Sequence, residues 1–355
     1  MRSDPQTQTP SGMNIASVRI LRLALGTALS MWFSQIVNWP MSFIAPVFTL
    51  LFLAMPIPAL PFKAGVKFVL VLTVCAYAGL MLLPFILNQR MVGILLLTLA
   101  LFHSFYYTAR GGSPVVGAFA TVGLAIATAI GTVSLDAVLG VVNGVIVGAV
   151  VGLAFVWVGH AILPDSSARA EIVSAAAQKP ASVELDPEMA RRSAWRSLLI
   201  VLPIVIWFLL SSASASYLAV LIKVSSMAQQ AGLDQTKKAG KSLLMSTFIG
   251  GVAAIIGWQV LSVWPSLTMY ILLVALCGLV MGPKIFVGQG MQANGATWSY
   301  GFLTMIVILA PAVLDGQGGS GADAAFWSRL NMFIMATLYA IGAVFVFDTL
   351  WPPKK

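Results

Sequence analysis

The sequence predicts an all-α polytopic membrane protein. We expect about twelve transmembrane helices arranged as two parallel six-helix repeats, with both termini in the cytoplasm. Three observations carry this expectation. The first is composition: of 355 residues, 59% are hydrophobic and 9% charged, with a mean hydropathy of +0.94. A soluble domain carries about 25% charged residues, so this chain cannot cover a globule in water. That excludes a soluble enzyme, a nucleic-acid-binding domain and a disordered chain. The second is the recurrence of apolar runs near the 20 or so residues that a spanning helix needs. The third is the segregation of basic residues, since loops on the cytoplasmic side collect Lys and Arg.

The spans follow in order. Residues 1–16 are polar and hold only Arg2 and Asp4 as charges, without the apolar core of a secretory signal. They are read as a cytoplasmic tail. The first repeat covers 17–163, with spans at Val18–Val37, Met41–Leu60, Val66–Leu87, Met91–Tyr107, Pro114–Val133 and Ala137–Leu163. Residues 164–194 are the longest hydrophilic stretch and form the linker. The second repeat covers 195–352, with spans at Ser197–Ser214, Tyr217–Met227, Leu243–Val263, Leu267–Met281, Trp298–Leu314 and Phe326–Trp351. The eighth, Tyr217–Met227, is short. With both termini inside, only Arg90 and Arg329 of the twenty basic residues face outward, and Lys223 falls inside a span.

Internal repetition follows the same division. Lys63-Ala64-Gly65-Val66-Lys67 opens the third span and Lys238-Ala239-Gly240-Lys241 the ninth. Arg22 matches Arg196 at the first and seventh. The sixth and twelfth spans align without a gap, Asn143 with Asn331 and Pro164 with Pro352. Six spans per half keep both halves in one orientation, so the repeat is parallel. On the sixth span, Gly140, Gly144, Gly148 and Gly152 recur every fourth residue. Such a stripe lets another backbone approach closely, and we assign it to helix packing.

Chemistry-bearing residues are few. Cys75 and Cys277 lie in apolar runs and read as small buried residues. His103 and His160 have no carboxylates at ligand spacing, so we expect no metal. Gly240-Lys241-Ser242 looks like the end of a phosphate-binding loop, but Gln235 stands where that loop needs glycine. We expect neither a cofactor nor catalysis. An ionisable group inside a bilayer costs a few kcal/mol or more and so points to function. Lys223, followed by Ser225 and Ser226, is the clearest, and a lysine there would attract an anion. The competing reading has it snorkel to the interface along its stem. The corresponding place in the first half holds Pro46, Phe48 and Thr49, where the proline would free a backbone carbonyl. These residues, with Tyr106, are the expected substrate contacts. His103 and Asp348 are candidates for proton coupling, because histidine ordinarily titrates near neutral pH and Asp348 is the one carboxylate in an apolar run. A core histidine and a water-facing helix end are the plainer readings of the two.

The order of several motifs carries a resemblance. Arg19-x-x-Arg22 leads into a Leu/Ala/Gly span, and Asn38-Trp39-Pro40 is followed by Ala45-Pro46. Lys63 to Lys67, Ala109-Arg110-Gly111-Gly112-Ser113-Pro114 and Trp157-x-x-His160-x-x-x-Pro164-Asp165 come next. Together these resemble the fusaric acid resistance-like (FUSC), or aromatic acid exporter, superfamily, and within it small membrane-only members of the DUF2955 type. The resemblance implies a bacterial inner-membrane, multi-pass secondary efflux transporter. Its cargo would be aromatic carboxylic acids or similar amphipathic organic anions or drugs, with export coupled to protons. It also implies a membrane-fusion-type periplasmic adaptor as partner. Composition independently points to membrane lipid and against nucleic acid, and the glycine stripe of the sixth span is compatible with a homo-oligomer. Relatives with known substrates carry large cytoplasmic regions, and this chain has only its short linker in their place. The alternatives are a non-transporting scaffold, which would show a solid core, and a passive anion channel, which would show a polar pore at an oligomer axis.

Overall fold

In the computed structural model, the described residues are 14–39, 41–112, most of 116–124, 135–164, 186–210, 233–288, 290–316 and scattered positions between 327 and 350. They are almost entirely helical. In chain order the helices are α1 (Ile15–Val37), α2 (Ile44–Leu53), α3 (Phe62–Asn88), α4 (Arg90–Ala109), α5 (Leu135–Ile162), α6 (Pro187–Leu210), α7 (Leu233–Val263), α8 (Leu267–Ile285) and α9 (Gly295–Gly316). Between α8 and α9, β1 (Phe286–Val287) and β2 (Gly290–Met291) form a short antiparallel hairpin. Six of the described helices are long and apolar enough to cross a membrane.

Local chemistry explains the helix ends. α1 starts at Asn14, whose side chain accepts the Ala16 N–H at 3.3 Å. It stops at Asn38 in the left-handed conformation (φ 49°), whose N–H closes onto Ser34 O. α6 begins with Pro187 behind Asp186, a favoured helix start, because proline lacks only an N–H that the first turn leaves unpaired. The helix therefore begins inside the stretch that composition assigns to the linker, ten residues ahead of the expected seventh span.

α2 departs most from expectation. A span was expected over Met41–Leu60, but the helix holds only ten residues, about 15 Å at 1.5 Å per residue. Pro56, Pro58 and Pro61 follow it and cannot continue a helix. Pro46 does not break it either. It sits in the first turn, where a missing N–H removes no helical hydrogen bond.

The described residues divide into two compact units, each drawn from both halves of the sequence. The first holds residues up to 65, 147–164 and 245–316. In it α1 packs against α2 and α8, and α9 against α2 and α8. A Cβ on Gly278 would come within 2.7 Å of Ala24 Cα, and one on Gly282 within 2.7 Å of Ile20. That pairing makes α1 and α8 antiparallel. α2 is also antiparallel to α1, with Leu53 against Gly26 and Thr49 against Ser30. The 245–263 part of α7 runs parallel to α9, with Gly250 on Gly301 and Thr304, and Gly257 on Leu309.

The second unit holds 66–146, 186–244 and the described positions from 327 on. Here α4 packs on α6. Phe102 stacks on Tyr106 (centroids 6.1 Å apart) and tilts against Trp195 of α6 at 5.1 Å. Ser104 of α4 donates to Gly117 O at 3.0 Å, and Gly123 lies on the backbone of Ala76 in α3. Tyr339 OH donates to Ile200 O of α6 at 3.4 Å.

Candidate functional site

In the first unit, a polar seam runs down α1 on the face turned to α2 and α5. Arg22, Gly26, Ser30 and Ser34 recur every fourth residue, so they share one side of the helix. Arg22, Ser30 and Ser34 are fully buried. Thr49 of α2 enters this seam with 0% exposure. Its hydroxyl lies 3.0 Å from Ser30 Oγ, 2.9 Å from Ala45 O and 3.1 Å from Gly152 O of α5. Ser34 Oγ donates to Ser30 O at 2.7 Å. One hydroxyl thus joins three helices.

α5 can approach because its own stripe carries no side chains. A Cβ on Gly152 would sit 2.7 Å from Ala45 O and 2.8 Å from Phe48 Cβ. One on Gly148 would press Ile44 and the Ala45 amide at 3.0–3.2 Å. Gly144 is buried, whereas a Cβ on Gly140 would meet nothing within 4 Å.

Below this junction lies Arg22. Its Nη1 donates to Leu163 O at 3.2 Å, at the carboxyl end of α5. Its aliphatic stem passes Gly159, beside which Leu53 also lies. A guanidinium there faces the negative end of a helix dipole, where a cation is favoured. α2 ends at the same level. Its last residue, Leu53, lies against Gly26, the midpoint of α1. The seam therefore contains a half-helix that stops midway down a full-length one, one turn above a buried arginine.

The basic residues of this unit gather at one end. Gly282 against Ile20 brings Lys284 near the start of α1, with Arg19 and Arg22. Trp157 Nε1 donates to Leu60 O at 2.8 Å, and its ring covers Gly65 and Phe62, which brings Lys63 and His160 to that end as well. His160 Nδ1 lies 2.9 Å from Val156 O.

The expected site residues are distributed as follows. Phe48 (1% exposed) and Thr49 are buried in the first unit, and Thr49 is occupied by packing contacts. His103 and Tyr106 belong to the second unit. His103 is exposed, with Nδ1 2.8 Å from Leu99 O one turn back, and Tyr106 is half-buried against Phe102. Lys223, Ser225, Ser226 and Asp348 lie outside the described residues. No group of three or more His, Cys, Asp or Glu able to hold a metal occurs among the described residues.

Sequence reasoning missed Arg19 and Arg22 as interior residues. It counted them as flanking charges, yet they are 0% and 1% exposed. The signal was present, because Arg22, Gly26, Ser30 and Ser34 repeat at the same interval as the α5 glycines.

Residues 19–158 match a family described as a protein of unknown function, DUF2955. The match runs from the buried Arg19 to the end of the α5 seam. No curated protein and no solved structure matches the chain.

Proposed function

We propose that the chain is a secondary transporter of the bacterial inner membrane that exports amphipathic organic anions, aromatic carboxylic acids among them, by exchange with protons. The observation that carries this reading is the broken second span. A ten-residue helix ends level with the middle of α1, and proline-punctuated chain follows it. Non-helical backbone at membrane depth is tolerated only inside protein or beside a water-filled cavity. Discontinuous helices of this kind form the binding sites of many transporters.

The repeat extends the reading to Lys223. Arg22 and Arg196, 174 positions apart, are both buried. The same interval carries Thr49 onto Lys223. The packing pairs are also equivalent under the repeat, since α1 with α8 is span one with span ten, and α6 with α4 is span seven with span four. Where the first half uses a hydroxyl to tie three helices together, the second half has an ammonium group, and we assign it to the carboxylate of the cargo. Ser225 and Ser226 add hydrogen bonds. Thr49 becomes a positioning residue rather than a cargo contact. His103 and Asp348 remain the proposed proton carriers. On this reading a membrane-fusion-type adaptor would continue the path across the periplasm, and the family would be the FUSC-like exporters.

The test is efflux of a labelled aromatic acid such as benzoate from proteoliposomes, with and without a pH gradient. Export should depend on the gradient and fall at least tenfold in Lys223→Gln. If Lys223→Ala leaves both binding and export intact, the anion site is wrong. If the wild-type protein moves no aromatic acid under any gradient, the transport reading fails altogether.

A further inference from the structure

Asn143 is an exposed amide on α5, within the second unit. It is the ninth residue of a 28-residue helix that is long and apolar enough to span. At 1.5 Å per residue it lies about 8 Å from the helix midpoint, well inside a hydrocarbon layer about 30 Å thick. Its Oδ1 accepts a hydrogen bond from Tyr77 OH of α3 at 3.0 Å, and Tyr77 is itself 41% exposed. Among the described residues the amide makes no other hydrogen bond, which leaves both Nδ2–H donors to be satisfied from outside. A carboxamide left half-satisfied against lipid is costly.

The surrounding face is built for close approach. Beside Asn143, Gly140 has open space where a Cβ would be, and the exposed side continues through Val147 (43%) and Val150 (51%) to Ala154. The spacing 140, 143, 147, 150, 154 alternates threes and fours, the period of a helix–helix seam. Small and β-branched residues with one asparagine among them form the pattern by which spanning helices associate in lipid.

We propose that this face of α5 binds the same face of a second copy of the chain, with Asn143 paired to Asn143 across the contact. Two properties select that occupant. A carboxamide carries both a donor and an acceptor, so a second asparagine supplies what the first lacks. A second copy also presents that asparagine at the same membrane depth, because a two-fold axis along the membrane normal leaves depth unchanged.

The test uses the full-length protein in liposomes, with Cys75→Ala and Cys277→Ala as background. Asn143→Cys should form a disulfide-linked dimer on mild oxidation. Leu95→Cys on α4, also exposed at 69%, should not. Without the cysteine at 143, Asn143→Val should weaken dimerisation relative to the native residue about threefold to fifteenfold in single-molecule photobleaching across protein-to-lipid ratios. Asn143→Gln, which keeps the amide, should dimerise within about twofold of the native protein. Unchanged melting of the valine variant in detergent will show that the monomer folds. The proposal is overturned if residues 143 and 95 cross-link equally, or if Asn143→Val dimerises as the native protein does. It is equally overturned if the Asn143→Cys variant stays monomeric and reacts with a membrane-impermeant maleimide, which would make this face the wall of a water-filled cavity.

Discussion

Gly152 and Gly140 stand about three turns apart on one helix and lead to opposite expectations. A methyl group at 152 would press the Ala45 carbonyl and Phe48 Cβ at 2.7–2.8 Å, and backbone cannot yield as a flexible side chain can. Gly152→Ala should therefore destabilise the protein in mild detergent by about 1–3 kcal/mol, the usual cost of overpacking. Gly140→Ala meets open space and should change monomer stability by no more than about 0.5 kcal/mol. Equal losses at both positions would remove the glycine seam as the basis of packing. Thr49 supplies a subtler check. Its contact with Ser30 predicts a coupling between Thr49→Val and Ser30→Ala of about 0.6 kcal/mol, the typical size of an interhelical hydrogen bond in a membrane. Additive single effects would mean that the hydroxyls meet without stabilising. The every-fourth-residue stripes of α1 and α5 were visible in the sequence. What Thr49 touches was not, because a hydroxyl suited to a ligand is equally suited to a carbonyl, and only the three-dimensional approach of Gly152 O distinguishes the two.

At the scale of elements, the long helices were legible because each is a long apolar run. α2 was misjudged for the same reason. Hydropathy over Met41–Leu60 is continuous, and an averaged apolar signal does not register that Pro56 and Pro58 forbid helix. Two consequences follow from its true length. Pro56→Ala with Pro58→Ala restores the missing N–H groups and should let α2 extend by several residues. If the break forms part of a transport site, that variant should fold, gain helical signal in circular dichroism and lose export. A fully active, more helical variant would detach the break from function. Arg22 gives the second consequence, because it reaches the α5 terminus past the end of α2. Arg22→Gln keeps a donor but loses the charge facing the dipole, and should cost about 1–2 kcal/mol, in the range for a partly buried cation at a helix end. Arg22→Ala, which also loses the packed stem, should cost more. Thermal unfolding in detergent ranks the two, and indistinguishable variants would make the contact with Leu163 O incidental.

At the scale of the whole molecule, charge rather than hydropathy is the useful signal. On the expected twelve-span topology almost every basic residue would lie on one side of the membrane. In the first unit Arg19, Arg22, Lys63 and Lys284, distant in sequence, do gather at one end of the helices. That gathering follows from helix directions alone, with α1 leaving the basic end and α8 returning to it. Which compartment the basic end faces is then a matter of the bias toward positive cytoplasmic loops, and labelling can decide it. In a cysteine-free background, Lys284→Cys and Lys63→Cys mark the basic end, and Val263→Cys, 86% exposed at the close of α7, marks the other. A membrane-impermeant thiol reagent added to intact spheroplasts should modify residue 263 and spare 63 and 284. Inverted vesicles should give the reverse. Modification of all three from one side would contradict a membrane crossing by α8, which separates residue 263 from residue 284. A clean exchange of the two patterns would keep the fold and invert its orientation, and the proposed direction of transport with it.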